Sequence, residues 1–279
     1  MTMGDCNDPT DIQLLVLDID GTIAGESNDV RPHVRAAVRA ARERGICVTI
    51  ATGRMYHSAR RFAEVLAIDQ PLVAYNGAWI QDLRKQQRLY HLGLPSALAL
   101  QLLEVCEQMP LPLGVHLYVD DTLHVQHLCP ATEAYRQRSN TDIVVSDLRA
   151  LLVTSEPTKL LALSEDPEAI SQLFDRLQQC YTPAEMYLTQ STATFFEACH
   201  PQVNKGAAVR YLAEDLLGLD ASQVMAIGDN FNDLEMLQYA GVAVAMGSAP
   251  DTVRRVADWV APDVEADGAA VAIDRFLLR

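Results

Sequence analysis

Apolar and polar residues follow two different patterns along this chain. Before residue 82 and again after residue 192, short unbroken apolar runs alternate with stretches of helical periodicity. The runs at 14–17, 46–51, 72–75, 224–227 and 242–246 fit strands buried on both faces. Strands that alternate with helices predict a parallel sheet connected by right-handed crossovers. We therefore expect a doubly wound, Rossmann-like α/β domain.

The intervening helices are bounded by favoured end residues. Apolar residues from Val34 to Ala41 recur at helical spacing between Pro32, a common helix start, and Gly45, a common helix end. A second helix is predicted over residues 57–66, and Gly218 ends a third that runs over 205–217. Further helices are expected over 232–239 and 250–257, and a last one follows residue 268.

Residues 82–192 follow a different hydrophobic pattern, because apolar and polar residues alternate there instead of forming continuous apolar runs. Residues 114–119 and 122–128 predict a hairpin around Asp120-Asp121. Strands are also expected at 159–163, 186–189 and 194–198, with helices at 95–108 and 167–179. This favours a mixed, largely antiparallel sheet with helices on one face. We predict two domains: residues 1–81 plus 193–279 form one, and residues 82–192 form an α/β domain inserted into it.

Composition excludes some partners. The 279 residues are 49% apolar and 21% charged, with a net charge of −15, so nucleic acid and anionic membranes are unfavourable partners. A small anionic substrate stays possible, since a metal ion can reverse the charge locally. The six cysteines are scattered without a C-x-x-C pair, which favours free thiols in a reducing cytoplasm. No signal peptide and no stretch of membrane-spanning length is present, so we expect a cytoplasmic protein.

The first predicted strand ends in reactive side chains. Asp18 follows the run at 14–17, and Asp20, Gly21 and Thr22 come next. Open α/β sheets bind ligands at this end of their strands. Two nearby carboxylates repel each other unless a cation or a shared proton lies between them. The alternative is a solvated Asp-Gly turn, and the rest of the chain argues against it.

Other strand ends carry complementary groups. Thr52 and Gly53 follow the second strand, and Asp229 follows the strand at 224–227, with Asp233 four residues later. Carboxylates from two strand ends fit Mg²⁺, a hard cation that shares its shell with water and phosphate. Lys205 opens a helix, where a phosphate could meet the helix N-terminus. Thr52 and Lys205 would suit an opposing clamp on phosphoryl oxygens.

In this order the motifs resemble those of the haloacid dehalogenase (HAD) superfamily of phosphohydrolases, specifically the Cof-type phosphatases with a large α/β cap. The matching segments are LLVLDIDGTI, RERGICVTIATGR, YNGA, VNKGAAVRYLAEDLLGL, IGDNFNDLEML, AVAMGSAP and ADGAAVAI. They cover most of the chain outside residues 82–192, and that cap matches only in size and position. Asn204 and Ser248 are small departures from the usual motifs.

The resemblance implies a role for each matching residue. Asp18 would be the nucleophile that forms an aspartyl-phosphate, and Asp20 the general acid and then the base. The Mg²⁺ ligands would be Asp18, Asp20 through its backbone carbonyl, Asp229 and Asp233. The substrate-binding residues would be Thr52, Gly53, Asn76, Gly77, Lys205 and Asn232.

The implied activity is Mg²⁺-dependent hydrolysis of a small phosphomonoester, most of all a sugar phosphate, by a monomer or small homo-oligomer. Two alternatives remain open. One is a phosphotransferase or phosphosugar mutase, which passes the phosphoryl group to a second sugar. The other is a catalytically silent phosphate-binding sensor, against which the intact Asp18 and Asp20 pair argues, because binding alone does not need both a nucleophile and an acid.

The predicted hairpin offers two further hypotheses. His124, His127 and Cys129 suggest a metal site at first, but strand alternation places His124 on the opposite face from the other two. A second hypothesis places His116, Tyr118, His124 and Gln126 on one polar face that contacts the leaving group of the substrate. Plain solvent exposure of that face is the alternative.

Overall fold

The computed structural model describes residues 12–279, without the side chain of Ser191; the first eleven residues of the predicted first domain, Cys6 among them, lie outside the described part. Up to residue 94 the elements are β1 (Leu14–Leu17), α1 (Pro32–Glu43), β2 (Cys47–Ile50), α2 (Tyr56–Val65), β3 (Leu72–Ala74), β4 (Trp79–Asp82) and β5 (Gln87–His91).

The middle of the chain contains α3 (Ser96–Glu107), β6 (Gly114–Val119), β7 (Thr122–Val125), α4 (Pro130–Ser139), β8 (Ile143–Val145), α5 (Leu148–Thr154), β9 (Lys159–Leu163), α6 (Pro167–Cys180), β10 (Tyr187–Thr192) and β11 (Phe195–Cys199). The last part contains α7 (Lys205–Arg210), β12 (Val224–Gly228), α8 (Leu234–Tyr239), β13 (Val242–Ala245), α9 (Asp251–Arg254), β14 (Trp259–Val260) and α10 (Gly268–Leu277). A π-helical segment, Tyr211–Leu217, continues α7 to the predicted end at Gly218.

The chain divides into two compact units. The first unit comprises the residues up to Ile50, Phe62–Gln70 and Val209–Arg279, and the second comprises Ala51–Arg61 and Pro71–Ala208. The sequence assigns residues 51–61, 71–81 and 193–208 to the first domain instead.

The first unit is built on a five-stranded parallel sheet with the order β14-β13-β12-β1-β2. The four residues of β1 are completely buried, as an unbroken apolar run predicts. The chain leaves β1 toward β2 on one side, whereas it leaves β12 toward β13 on the other. Right-handed crossovers then place α1 and α8 on opposite faces. The predicted doubly wound α/β architecture is confirmed, and its topological switch point lies between β1 and β12.

Helices α1 and α10 pack against each other in the first unit. Val34, Ala37, Val38 and Ala41 form the buried stripe of α1, as their spacing predicts. Gly45 follows α1 with a φ of +85°, a conformation that suits the residue after a helix. Arg31, just before α1, donates from Nε to Oδ1 of Asp267 at 2.6 Å and so ties the starts of the two helices together.

The second unit contains a six-stranded sheet with the order β10-β11-β9-β6-β7-β8 and a three-stranded antiparallel sheet, β3-β4-β5. Only β7 and β8 pair in parallel within the six-stranded sheet, so the predicted mixed, largely antiparallel sheet is confirmed. One face, which carries Leu117, Leu160 and Phe196, packs against α3, α5 and α6 in an apolar core.

Three expectations for this unit are wrong. Helix α4 packs on the other face of the sheet, where Thr132 hydrogen-bonds to His116, so the helices do not all lie on one face. The run at 72–75, predicted as a strand of the parallel sheet, instead forms β3 of the antiparallel sheet with β4 and β5, and the largely exposed β5 shows too little apolar alternation to be predicted. In the hairpin, His124 is opposite Leu117 while His116 is opposite Val125, so His116 and His124 lie on opposite faces.

The register explains the last error. A two-residue turn joins Val119 to Thr122 and pairs them, so that even-numbered residues of β6 oppose odd-numbered residues of β7. His116 and Tyr118 are also fully buried rather than solvent-exposed. Cys129 caps α4 by accepting from the backbone N–H of Thr132, which gives its thiol a structural role.

The five described cysteines are free thiols, in agreement with the prediction. Within residues 12–279, no helix has the length and apolar character needed to cross a membrane.

Candidate active site

The switch point of the first unit holds the DIDGT segment. The backbone N–H of Asp18 donates to the carbonyl of Ile227 on β12 at 3.1 Å, so Asp18 still belongs to the sheet. The chain then turns tightly, with Ile23 and Ala24 both donating to the carbonyl of Ile19 at 3.0 and 2.9 Å. This turn leaves Asp20 half-buried, two residues beyond the buried Asp18.

Three carboxylates meet at the ends of β1 and β12. Asp18, Asp229 and Asp233 each offer an oxygen, and these oxygens lie within 4.8 Å of one another. Asp18 and Asp233 are buried and Asp229 is half-buried. Like charges held this closely in a low-dielectric site require a compensating cation or protons. An all-oxygen set from buried carboxylates fits a hard divalent cation such as Mg²⁺.

The protein fixes two of these carboxylates through hydrogen bonds. Oδ2 of Asp233 accepts from the backbone N–H groups of Asp229 and Asn230 at 2.9 and 3.0 Å. The hydroxyl of Thr22 donates to Oδ1 of Asp229 at 3.1 Å. Partners of this kind orient metal ligands and support metal affinity. Asn232 is buried in the same short 3₁₀ turn, Phe231–Asp233.

Two glycines make room for these side chains. Gly21 has a φ of +84°, and a Cβ at this position would overlap Oδ2 of Asp229. At Gly228 a Cβ would lie 2.6 Å from Cβ of Asp233. Side chains at these two positions would therefore displace both carboxylates of the β12 end.

The second unit holds the sequence-predicted residues Thr52, Gly53, Asn76, Gly77 and Lys205. Thr52 and Gly53 lie in one loop, Asn76 and Gly77 lie in another, and the two loops hydrogen-bond to each other. The backbone N–H of Asn76 donates to the carbonyl of Thr52 at 2.9 Å, and that of Tyr75 donates to the carbonyl of Arg54 at 2.9 Å. A Cβ on Gly53 would lie 3.0 Å from Oδ1 of Asn76. Thr52 and Asn76 are buried, and the Thr52 hydroxyl accepts from the backbone N–H of Arg54 at 3.2 Å.

The Tyr75–Gly77 turn has an unusual backbone, because three consecutive residues have positive φ values of 52°, 56° and 103°. Such runs are costly for residues other than glycine and persist only where surrounding contacts hold them. Tyr75 is held by its hydroxyl, which donates to Oδ1 of Asp121 at 2.7 Å. Burial raises the pKa of Tyr75 well above its ordinary value, and the neighbouring Asp121 adds to that rise.

Lys205 is the first residue of α7 and is fully buried. The side chain of Asn204 accepts from the backbone N–H of Ala207 at 2.7 Å, so the departure from the family motif at Asn204 supplies a good helix cap. A Cβ on Gly77 would lie 2.6 Å from the carbonyl oxygen of Asn204, which places the Tyr75–Gly77 turn against the start of this helix. A buried ammonium group needs negative charge nearby.

Lys159 and Glu197 were not expected in this region. Both are almost completely buried, and they contact Gly53 and Asn76 respectively. A signal was available in the sequence, because a lysine directly before the apolar run LLAL and a glutamate inside FFEAC are unusual in buried strands.

The chain is similar to known proteins in both sequence and structure. A family profile described as haloacid dehalogenase-like hydrolase matches residues 15–273. A haloacid dehalogenase-like hydrolase from Bacteroides thetaiotaomicron has a similar structure, with a TM-score of 0.82, 25% identity, and coverage of 95% of this chain and 99% of that one. The chain therefore belongs to the haloacid dehalogenase-like hydrolases.

Curated relatives refine this assignment. The 5-amino-6-(5-phospho-D-ribitylamino)uracil phosphatase YcsE of Bacillus subtilis (strain 168) is 28% identical, covering 96% of this chain and 97% of the relative. The pyridoxal phosphate phosphatase YbhA of Escherichia coli (strain K12) is also 28% identical, covering 95% and 99%. The protein is a Cof-type phosphoric monoester hydrolase.

Proposed function

We propose that this protein hydrolyses small phosphomonoesters, sugar phosphates above all, in a Mg²⁺-dependent reaction through an aspartyl-phosphate on Asp18. The observation that carries the proposal is the cluster of Asp18, Asp229 and Asp233 at the switch point of the parallel sheet. The substrate class is supported by the relatives, whose names describe phosphatases of small phosphorylated metabolites.

Two carboxylates would divide the chemistry. A carboxylate oxygen of Asp18 attacks phosphorus, and the bond from phosphorus to the leaving oxygen breaks while Asp20 gives that oxygen its proton. Water then attacks phosphorus, the bond to Asp18 breaks, and Asp20 takes up the proton of the water. Asp20 is half-buried and so can exchange protons with solvent between cycles.

The remaining residues would bind the charged groups. Asp18, Asp229, Asp233 and the backbone carbonyl of Asp20 would hold Mg²⁺, which neutralises phosphoryl charge when bound. Thr52 and the backbone of Gly53 would hydrogen-bond the phosphoryl oxygens, and Lys205 would neutralise them. Asn76, Gly77 and Asn232 would complete the substrate-binding set.

We propose the organisation that the sequence favours, with residues 1–81 and 193–279 as the catalytic domain and residues 82–192 as the cap that selects substrates. The proposed location is the cytoplasm, a reducing compartment that fits the free thiols. The proposed partner is a small phosphorylated metabolite rather than nucleic acid or membrane, and the proposed state is a monomer or small homo-oligomer.

The test is phosphate release from a panel of phosphomonoesters with Mg²⁺ or with EDTA. We expect Asp18→Asn to lose release and Asp274→Asn, which changes an exposed aspartate on α10, to keep it. Release that survives EDTA or Asp18→Asn would contradict the mechanism. Recovery of an isomerised sugar phosphate instead of free phosphate would indicate a mutase.

A further inference from the structure

The second unit contains a buried ion pair with no place in the reaction described above. Nζ of Lys159 on β9 lies 3.3 Å from Oε2 of Glu197 on the neighbouring strand β11. Their side chains are 2% and 5% exposed. The chain has three lysines, Lys85, Lys159 and Lys205, and only Lys85 has an exposed side chain.

The charge on Lys159 is maintained despite burial. Burial by itself lowers the pKa of a lysine, but the adjacent Glu197 outweighs it and holds the pKa of Lys159 above its ordinary value. The rings of Tyr118 and Tyr75 add cation–π contacts, with their centroids 5.1 and 5.8 Å from Nζ. Lys159 is therefore a protonated donor.

A buried ion pair is a poor means of stabilising a fold. Removing two charges from water costs more than their attraction returns in many proteins, and apolar residues of similar volume often stabilise as well or better. On the same face of the sheet, the position directly opposite Glu197 is occupied by the buried apolar residue Leu161. Apolar residues could fill the same space, but they could not hydrogen-bond to other residues. The hydrogen bonds that the two charged groups make, rather than their mutual attraction, therefore indicate the role of the pair.

Lys159 contacts the first candidate phosphate-binding loop. Its Nζ donates to the carbonyl oxygen of Gly53 at 2.9 Å. That carbonyl shares a planar peptide unit with the N–H of Arg54. The same N–H donates to the hydroxyl oxygen of Thr52 at 3.2 Å. By fixing one end of this peptide plane, Lys159 fixes the donor that orients the Thr52 hydroxyl.

Glu197 contacts the second loop through the same oxygen that faces Lys159. Nδ2 of Asn76 donates to Oε2 of Glu197 at 3.0 Å. Asn76 is the middle residue of the turn with three positive φ values. A charge-assisted hydrogen bond to its side chain helps to hold this costly conformation.

We propose that Lys159 and Glu197 form a positioning pair, which orients the Thr52 hydroxyl and the Tyr75–Gly77 turn for phosphoryl binding. Neither residue needs to touch substrate. The inference rests on the proposed function, because it assigns the pair to the phosphate-binding loops of that reaction.

The test separates positioning from folding. Lys159→Met leaves Glu197 buried without its cationic partner, so we expect a lower urea midpoint. The double variant Lys159→Met/Glu197→Gln removes both partners, and we expect its midpoint to recover toward wild type. We expect kcat/KM to stay down by about 10- to 100-fold in both variants, because the Gly53 carbonyl has lost its donor. Lys85→Met, which changes the exposed lysine, is the control and should match wild type in both measurements.

A second comparison identifies the route of the effect. In a Thr52→Val background, we expect Lys159→Met to lower kcat/KM by less than about threefold, because the hydroxyl that Lys159 orients through the Gly53–Arg54 peptide is already absent. A double variant with a wild-type midpoint and wild-type kcat/KM would overturn the proposal, and so would additive losses with Thr52→Val. If the double variant does not fold, Lys159→Met is compared with Lys159→Arg, which keeps a charged donor. We expect the higher kcat/KM in Lys159→Arg, and equal losses in the two variants would count against positioning.

Binding of inorganic phosphate, measured by calorimetry in the presence of Mg²⁺, distinguishes the two proposals. A wild-type protein that binds phosphate without turning over any phosphomonoester would refute the proposed function. The pair would then be judged by phosphate affinity alone. We expect that affinity to be about 10-fold weaker in the double variant, and equal affinity would refute positioning.

Discussion

Replacing Gly21 with alanine tests whether the turn after β1 sets the position of Asp229. The α-carbon of Gly21 faces this carboxylate so closely that an added Cβ would lie 2.6 Å from its Cγ, with Oδ2 nearer still. Real Cβ atoms do not approach side chains at this distance, so Asp229 must move. Its Oδ1 would then lose the hydrogen bond from the Thr22 hydroxyl.

Two separate costs are expected from Gly21→Ala. The first is backbone strain, because alanine at a φ of +84° costs about 1–2 kcal/mol of folding free energy. The second is displacement of a carboxylate from the cluster with Asp18 and Asp233, which we expect to weaken Mg²⁺ binding by about 10- to 100-fold. The concentration of Mg²⁺ needed for half-maximal phosphate release should rise by the same factor.

Gly45→Ala is the matched control for the first cost. Gly45 lies in the same unit with a φ of +85°, and a Cβ there would have no neighbour within 4 Å. Both variants should therefore lose similar stability in EDTA, measured by urea unfolding. Only Gly21→Ala should need more Mg²⁺, measured by calorimetry and by Mg²⁺ titration of phosphate release. Equal Mg²⁺ requirements in the two variants would refute the reasoning.

Two further predictions concern pH. Burial, with Lys159 adding to it, lowers the pKa of His116 from 6.5 to about 3, so the unfolded chain takes up a proton below pH 6.5 that the folded protein does not. Between pH 7.5 and pH 5 this proton uptake should lower the free energy of unfolding of the wild-type protein by about 2 kcal/mol, and His116→Gln should be spared that loss. The measurement is urea unfolding at the two pH values; an equal loss in wild type and variant would contradict a neutral His116. Arg31 and His33 lower the pKa of Asp267 in the folded protein below its ordinary value. The stability that Asp267 contributes is therefore complete above the pKa it has in the unfolded chain, and it is lost as the pH falls through the pKa it has in the folded protein. Asp267→Asn, which also tolerates the φ of +59°, should be less stable than wild type at pH 7. The difference should shrink as the pH falls below the ordinary pKa of an aspartate, measured by thermal unfolding at each pH; a difference independent of pH would rule out the ion pairs as its cause.

Much of the first unit could be predicted because its signals are local. The apolar run of β1 needs no partner to be recognised, and burial on both faces requires the sheet to be covered by helices. In such a sheet, residues just past strand ends meet at one edge. Asp18 and Asp229 could thus be placed near each other from the sequence, although 211 positions separate them along the chain.

The second unit could be predicted less well, because the elements that cover its sheet are distant in sequence. Alternation in β6 and β7 indicated the hairpin, and its two-residue turn already fixes which residues share a face, so the prediction of one face for His116 and His124 conflicts with a local signal. The same alternation could not show that α4 would bury His116 and Tyr118. A polar strand face has the same sequence pattern whether water or a helix with polar side chains covers it.

Residue type and spacing within a few positions were enough to predict the doubly wound sheet, the acidic strand ends and the glycines beside them. The contacts of Lys159 with the carbonyl of Gly53 and of Glu197 with Asn76 arise only in the folded protein. These contacts join segments more than 100 residues apart. No local pattern encodes them, because they depend on the order of strands β9 and β11 in the folded sheet.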